Sequence, residues 1–200
     1  MVTVDEHLLL GRRERKKRAT RGALQRAALR LALEHGIDHV TIESICREAD
    51  VSPRTFFNHF STKDDVMAGD GPQLPSPDDL AGLAAGKSGD LWGDIRTLLR
   101  AGARRISERR DELRQRRTLL DRHPELLARH LTRFAAFEQD LVKAVAARCG
   151  TAEHDLYPQL VAGVAMTTMR ISVRRWVAAD DGRPFEDYVD EAFDLITTGL

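Results

Sequence analysis

The chain has 200 residues, with 31 Lys or Arg and 31 Asp or Glu, so its formal net charge at pH 7 is zero. A chain of this length buries roughly 70% of the surface that it exposes when unfolded, which allows a core without disulfides or metals. Hydrophobic residues make up 42% of the chain, which excludes intrinsic disorder. No apolar run approaches the roughly 20 residues of a membrane span, and the leucines at 8–10 precede the basic cluster, the reverse of a secretory signal. We therefore expect a cytoplasmic protein with no membrane partner.

The charges are unevenly distributed along the chain. Nine Lys or Arg and one acid lie between Arg12 and Arg30, whereas residues 61–200 carry 20 basic and 23 acidic groups. A basic end joined to a faintly acidic remainder indicates that one part of the protein meets a polyanion. The charge alone fits a solvated, flexible basic arm over residues 1–19 equally well.

The first amphipathic helix is predicted over residues 20–35, and Gly36 ends it. Arg21, Arg26 and Arg30 lie largely on its polar side. The apolar residues recur at helical spacing: Leu24, Ala27, Ala28, Leu31 and Ala32.

Three short helices are predicted next. Thr41 caps the second helix of the chain, TIESICREA. Ser52 caps the third, and Pro53 occupies its first position, where the missing N–H has no cost. Ser61 or Thr62 starts the fourth helix.

The second and third helices, joined by a tight turn, predict a helix-turn-helix. An α-helix fits the roughly 12 Å major groove of DNA, where its N-terminal residues meet base edges and nearby cations hold phosphates. In the third helix, Arg54, Thr55 and Asn58 are the outward candidates for base contact. Phe56 and Phe60, four residues apart, are predicted to face inward. A solvated surface role stays open for Arg54 and Asn58.

The sequence of residues 69–200 also predicts helices. Residues 69–89 are rich in Pro and Gly and are predicted to form a linker, with one helical turn around residues 80–85. No alternating strand pattern is present. The predicted fold is therefore all-α with about nine helices: a helix-turn-helix domain at 20–68 and a helical bundle at 90–200. The later helices are predicted at 91–109, 112–121, 124–150, 155–179 and from 185 to the C-terminus.

The segment at residues 36–65 reads G-I-x-x-V-T-I-x-x-I-C-x-x-A-D-V-S-P-x-T-F-F-N-H-F-x-T-K-D-D. It resembles the signature of the tetracycline-repressor-like (TetR) family of bacterial transcriptional regulators, and the match covers about residues 20–67. The resemblance implies a homodimer that binds a pseudo-palindromic double-stranded DNA operator as a repressor. It further implies release from the operator by a small-molecule effector in the C-terminal domain, and no cofactor.

The resemblance assigns DNA contacts to particular positions. Thr41 matches a residue that caps the second helix and touches a phosphate. Arg54 and Thr55 match positions that face the groove, and Lys63 matches one that reaches phosphate from the start of the fourth helix. His59 matches a position beneath the recognition helix and near the DNA backbone, although a packed structural histidine is an equally good interpretation.

Ser52, Phe57 and Asn58 complete the predicted DNA-binding set. The family commonly has tyrosine at the position of Phe57, so a phosphate hydrogen bond is missing there, while apolar contact with a thymine methyl or a sugar stays available. Asp50 stands near a position where the family often has Gly or Ala. The turn must therefore be built around an aspartate, which tolerates left-handed backbone.

The last two helices carry apolar stripes that are broader than an outer layer needs. We predict that they form a four-helix interface in a homodimer, which would place two recognition helices about 34 to 36 Å apart. Completion of their own core is the alternative. The predicted interface residues are Val164, Ile171, Tyr188, Val189, Phe193 and Ile196.

A ligand pocket is predicted within residues 90–200, because Met-rich apolar walls adapt to irregular guests. Ordinary packing is the alternative for each lining residue. The end of the chain resembles a subset of TetR regulators, some of which respond to acyl-coenzyme A or other lipophilic acyl compounds. The predicted lining residues are Trp92, Leu99, Phe134, Phe137, Met166, Met169 and Arg170.

An α-helical enzyme is the main competing class. His35 and His39 are four residues apart, but Gly36 breaks the helix that would place both on one face, so metal binding is not expected. No motif assembles a nucleophile with its base, and no P-loop or G-x-G-x-x-G occurs, so we expect no catalytic residues. Cys46 and Cys149 lack CxxC spacing and are both predicted to be small buried side chains.

A helical adaptor without DNA binding is the third class. It would leave the outward Arg54, Thr55 and Asn58 unexplained and would not need the basic first helix. The sequence therefore favours a DNA-binding regulator.

Overall fold

The structure is a computed structural model that describes residues 4–69, 77–86 and 88–198, with the backbone alone at 4–12, 14, 77 and 198. Within these residues α-helix is the dominant element and no strand occurs, which confirms the all-α prediction. Ten α-helices lie in the described ranges: α1 Val4–His35, α2 Ile42–Glu48, α3 Pro53–Phe57, α4 Lys63–Ala68, α5 Pro77–Ala85, α6 Leu91–Ile106, α7 Arg110–Arg122, α8 Pro124–Cys149, α9 Leu156–Ala178 and α10 Phe185–Thr198.

Side-chain caps start the three short helices, as their sequences predict. The Thr41 hydroxyl accepts a bond of 3.1 Å from the Ser44 N–H, and the Ser44 hydroxyl accepts one of 3.0 Å from the Thr41 N–H. The Ser52 hydroxyl accepts a 3.1 Å bond from the Thr55 N–H. Thr62 rather than Ser61 caps α4. Each cap satisfies an N–H group that has no partner inside its helix.

Two segments are more helical than the sequence pattern indicates. Residues 4–19 of the segment predicted as a basic arm belong to α1, which is continuous from Val4, and residues 1–3 lie outside the described residues. Arg, Lys, Glu and Ala favour helix, but the segment lacks the apolar stripe on which the prediction relied. Helix α5 lies inside the predicted linker, and its Leu83 is 3% exposed in a core.

The contacts divide the chain into two compact units. Unit 1 comprises Met1–Asp70 and Gln115–His130, and unit 2 comprises Gly71–Arg114 and Leu131–Leu200. The predicted domains follow chain order, whereas the packing groups the end of α7 and the start of α8 with the helix-turn-helix. The core of unit 1 includes Leu24, Ala28, Ile45, Phe56, Phe60, Leu119 and Leu126.

The core of unit 2 is formed by α5, α6, α8, α9 and α10. The rings of Trp176 and Phe185 stack with centroids 4.8 Å apart, and Trp92 meets Phe193 edge-on at 5.9 Å. These aromatic contacts connect the last two helices to each other and to α6.

The two cysteines differ in exposure. Cys46 is buried in unit 1, as predicted, and burial raises the pKa of its thiol. Cys149 was predicted to be buried but is exposed, because it is the last residue of α8. Helical spacing shows which face of a helix is apolar, but it does not show that α8 ends at Cys149 and leaves this side chain exposed.

Candidate nucleic-acid interface

The turn between α2 and α3 is built around Asp50. Its φ angle is 53°, which is left-handed backbone, as the sequence predicts for an aspartate at this position. The Val51 N–H then donates to the Cys46 carbonyl at 3.0 Å. The turn thereby closes α2 and leads directly into the Ser52 cap of α3.

Two phenylalanines fix the inner face of α3. Phe56 is completely buried and Phe60 is 4% exposed, which confirms their inward prediction. Their ring centroids are 5.9 Å apart. Since a buried aromatic side chain contributes several kcal/mol, these two rings hold the helix in place and leave its other side open.

The outer face of α3 presents three exposed side chains. Arg54 and Asn58 are exposed, and Arg54 makes no hydrogen bond or ion pair within the part of the chain that the structure describes. The Phe57 ring is 58% exposed and lies edge-on against Phe56, with centroids 5.5 Å apart. Thr55 is half-buried, and its hydroxyl lies 2.9 Å from that of Ser52. This face offers a cation, an amide and an aromatic edge to an external partner.

Arg21 of α1 holds the end of α3. Its guanidinium donates a 2.5 Å bond to the His59 carbonyl and lies 4.1 Å from the centroid of the Phe60 ring. His59 is half-buried at this junction. The sequence did not reveal this contact, because Arg21 is one of nine similar cations in its segment.

Lys63 is turned toward the protein. Its Nζ donates 3.0 Å bonds to the carbonyls of Ile37 and Val40. These bonds connect the start of α4 to the loop between α1 and α2, and they leave one of three ammonium donors available. Contact between Lys63 and phosphate therefore stays a prediction. Fewer of the ammonium donors are available for this contact than the sequence implies.

The far end of α4 is held by residues from α7 and α8. Arg116 is 4% exposed and donates a 2.7 Å bond to the Met67 carbonyl, and Nδ1 of His130 lies 2.9 Å from the Ala68 carbonyl. A Cβ on Gly69 would come within 2.4 Å of the Arg116 guanidinium. This arrangement was not predicted from the sequence, because its partners lie 49 and 62 residues apart along the chain.

The structure brings six of the predicted pocket residues to one core in unit 2. Leu99, Met166 and Met169 are buried in it, and Trp92, Phe134 and Phe137 are partly buried against it. Arg170 is exposed on α9. Whether this core opens to admit a ligand stays a prediction.

Three of the predicted dimer residues are unavailable to a second copy. Tyr188, Val189 and Phe193 are at most 3% exposed and belong to the core of unit 2. Ile171 and Ile196 are 38% and 37% exposed and stay candidates, as does the partly exposed Val164. The stripe of α10 is therefore mainly the inner face of its own unit.

Further exposed apolar side chains lie on α9 and α10. The structure leaves these large side chains exposed: Leu156, Tyr157, Leu160 and Leu195.

Among the residues that the structure describes, no group of three or more His, Cys, Asp or Glu is placed to hold a metal ion. No described helix is long and apolar enough to cross a membrane.

Comparison with known families agrees with the geometry of both units. Residues 24–68 match the family model of bacterial regulatory proteins, tetR family, and residues 90–200 match that of the MftR C-terminal domain. The chain belongs to the TetR family of bacterial transcriptional regulators. The family model of the helix-turn-helix and the matching relative TcmR are both described as transcriptional regulators.

Individual relatives support the same assignment. The HTH-type transcriptional regulator TcmR of Streptomyces glaucescens is 33% identical, over 86% of this chain and 79% of TcmR. The structure of the fatty acid degradation regulator FadR from Bacillus halodurans is similar with a TM-score of 0.54 and 16% identity, over 90% of this chain and 96% of FadR. Salmonella enterica GusR is similar with a TM-score of 0.51 and 17% identity, over 90% and 94%. At this identity the two structures show the shared fold alone.

Proposed function

We propose that this TetR-family protein is a cytoplasmic repressor that binds a pseudo-palindromic operator as a homodimer and leaves it when a small-molecule effector binds unit 2. The observation that carries the proposal is the division of α3 into two faces. Phe56 and Phe60 are buried, whereas Arg54, Phe57 and Asn58 are exposed. A helix held firmly from behind can enter the major groove without reorganising.

The exposed residues of α3 have complementary roles in this proposal. Arg54 donates to guanine O6 and N7, and Asn58 pairs with an adenine edge. Phe57 contacts the thymine methyl, the apolar feature of the major groove. Thr55 lies between these residues with its hydroxyl near Ser52, so its contact is with the neighbouring base or phosphate.

The supporting residues fix the position of the helix on the DNA backbone. Thr41 and Ser52 cap the N-terminal ends of α2 and α3, where the helix dipole favours phosphate. His59 lies just after the end of α3, and Lys63 keeps one ammonium donor for a phosphate. Contacts of this kind set the register of the protein and carry no sequence information.

The test is selection of genomic DNA fragments by the purified protein, followed by gel-shift titration of the selected operator. Arg54→Ala should lower discrimination at one base pair by about 1–3 kcal/mol. Arg104→Ala provides the matched control, because Arg104 is an exposed arginine on α6. Retardation without sequence selectivity, or equal effects of the two variants, would count against the proposed role of α3.

The proposed dimer uses the exposed side of α9 together with the end of α10. Leu156, Leu160, Val164 and Ile171 recur at intervals that place them on one side of α9, away from the buried residues. Leu160 is 56% exposed in the isolated chain. An exposed stripe of large apolar side chains is unusual in a monomeric protein. Covering this stripe with a second copy would remove it from water.

Light scattering of Leu160→Asp tests the interface. A charge in an apolar contact should yield folded monomers, whereas Ala135→Asp, at an exposed position of α8, should stay dimeric. A persistent Leu160→Asp dimer would move the interface elsewhere. Phe193→Asp is unsuitable for this purpose, because Phe193 is buried within its own unit.

The proposed effector is a lipophilic molecule, with acyl-coenzyme A compounds as the first candidates. Support comes from the apolar core around Leu99, Met166 and Met169, since methionine side chains adapt to irregular guests. Arg170 is an exposed cation on the same helix as both methionines and suits an anionic group. Acyl-coenzyme A compounds of increasing chain length should release the operator in a gel shift, and free coenzyme A should not. Retention of DNA at every chain length would exclude this effector class.

A further inference from the structure

An open cleft lies beside the recognition helix in unit 1. It has a volume of about 470 Å³ and is bordered by residues 13–20 of α1 and by the two residues that follow α3. The residues that line it are Arg13, Lys16, Lys17, Thr20, Asn58 and His59. Three of the six side chains are permanent cations at neutral pH, and Thr20 and Asn58 add neutral hydrogen-bond donors.

The spacing of the α1 residues explains why they share this cleft. Positions 13, 16, 17 and 20 follow the i, i+3, i+4, i+7 pattern, so they occupy one side of the helix. Arg15 and Arg18 are also exposed, but this spacing places them on the opposite side of the same turns. The basic segment of α1 therefore has a cleft side and a solvent side of similar charge.

The cleft cations lack acidic partners in the described part of the chain. Arg13, Lys16 and Lys17 make no hydrogen bond or ion pair there, whereas Arg30 of the same helix pairs with Glu34 and Glu48. Like charges that line one cleft repel one another, and an anion that binds between them relieves this repulsion. The charge of the described cleft residues therefore favours an anionic partner.

We propose that the cleft binds phosphate oxygens of the DNA strand that borders the groove entered by α3. This inference rests on the proposed function and adds a contact to it. Asn58 belongs both to the exposed face of α3 and to the cleft wall, so DNA seated on α3 brings its backbone to the cleft. Lys16 and Lys17 act as point charges, and Arg13 supplies a forked donor to the same backbone.

Arg21 keeps the cleft in a fixed relation to the recognition helix. It binds the His59 carbonyl at 2.5 Å and covers the Phe60 ring, one helical turn from the cleft residues of α1. Because α1 is fastened to the end of α3 in this way, a phosphate bound in the cleft holds a fixed position relative to α3 on the DNA. A disordered basic tail would add only diffuse attraction, which salt screens.

Two double variants with the same change in charge test the proposal. Lys16→Gln/Lys17→Gln removes two cations from the cleft side, and Arg15→Gln/Arg18→Gln removes two from the opposite side of the same helix. Operator affinity is measured for both variants and the wild type over a range of salt concentrations. Each phosphate contact contributes about 0.9 to the salt slope, so the cleft variant should lose about two units of slope for each protomer, or about four for the dimer, and the control variant almost none.

Operators with a single neutral methylphosphonate linkage locate the contact. At one linkage beside the half-site, the neutral methylphosphonate should lower the operator affinity of the wild type. The same linkage should not lower the affinity of the cleft variant any further. Equal slopes for the two variants with operator binding intact would overturn the cleft site alone. A cleft variant that changes the preference for A·T over G·C pairs beside the half-site would overturn it in favour of minor-groove readout. A wild-type protein that binds no DNA would overturn the proposed function itself.

Discussion

The capping hydroxyls of the helix-turn-helix domain and the cationic side chains of unit 2 act over very different distances along the chain. In the helix-turn-helix, the hydroxyls of Thr41, Ser52 and Thr62 each bond to a backbone N–H three residues away. These bonds start helices that are five to seven residues long. Helices this short are marginal by themselves, so their caps and their buried aromatic residues must act together.

In unit 2, polar side chains instead connect helices that are distant in sequence. Arg96 binds Asp190 at 2.7 Å, and Arg148 binds Asp94 at 2.6 Å. Arg110 donates a 2.7 Å bond to the Trp176 carbonyl at the end of α9. The starts of the DNA-binding helices are therefore specified mainly by local signals, whereas unit 2 is specified by contacts that only folding brings together.

The largest expected loss of stability is in the aromatic core of the helix-turn-helix. Phe56→Ala should destabilise unit 1 by about 3–5 kcal/mol, because it empties a fully buried site. Phe57→Ala removes the same side chain from the exposed face of the same helix and should change stability by about 0.5 kcal/mol or less. Urea unfolding measures both variants. Similar losses would contradict the assignment of the two faces of α3.

A smaller loss is expected at the contact between α7 and α4. Arg116→Ala should cost about 1–3 kcal/mol, because the Met67 carbonyl loses its buried charged donor. Arg117→Ala removes an arginine whose bond to Asp121 is on the surface, so about 0.5 kcal/mol is expected. If thermal unfolding gives equal shifts, the stability of α4 does not depend on the distant arginine.

The helix caps should have a still smaller effect. Ser52→Ala removes the acceptor for the Thr55 N–H and should destabilise the protein by about 1 kcal/mol. Ser61→Ala changes an exposed serine that does not cap α4 and should be nearly neutral. A Ser52 variant as stable as the Ser61 variant would show that packing alone specifies α3.

The smallest expected effect is a pH dependence in unit 2. A hydrogen bond from Ser88, together with one from Arg148, lowers the pKa of Asp94. A lowered folded-state pKa means that the stabilisation is present above the ordinary carboxyl pKa of about 3.9 and is lost as the pH falls through the lowered value. Asp94→Asn should therefore show a shallower loss of stability below about pH 4 than the wild type. The exposed Asp111→Asn should follow the wild-type profile, and coincidence of all three profiles would exclude this contribution.

The helix-turn-helix was largely predictable because its signals lie within a few residues. The caps at Thr41 and Ser52 and the left-handed Asp50 follow from residue chemistry, and the structure confirms each of them. Arg21 and Arg116 were not predicted. Their acceptors, the carbonyls of His59 and Met67, lie 38 and 49 residues away, and no local pattern indicates such a pair.

The last helix shows the limit of periodicity. Its apolar stripe correctly identified Tyr188, Val189 and Phe193 as residues that avoid water, but the predicted covering partner was a second copy, and the structure covers them with unit 2. Periodicity measures which face is apolar, and it contains no information about which surface covers that face.

The sequence by itself determined the all-α fold, the positions of most helices and the two faces of α3, because caps, breakers and apolar spacing act over one or two turns. Only the tertiary structure decided that α10 completes its own core, that Gln115–His130 packs with unit 1, and that the cations of α1 border a cleft beside Asn58. These outcomes depend on surfaces that are distant in sequence and become neighbours when the chain folds.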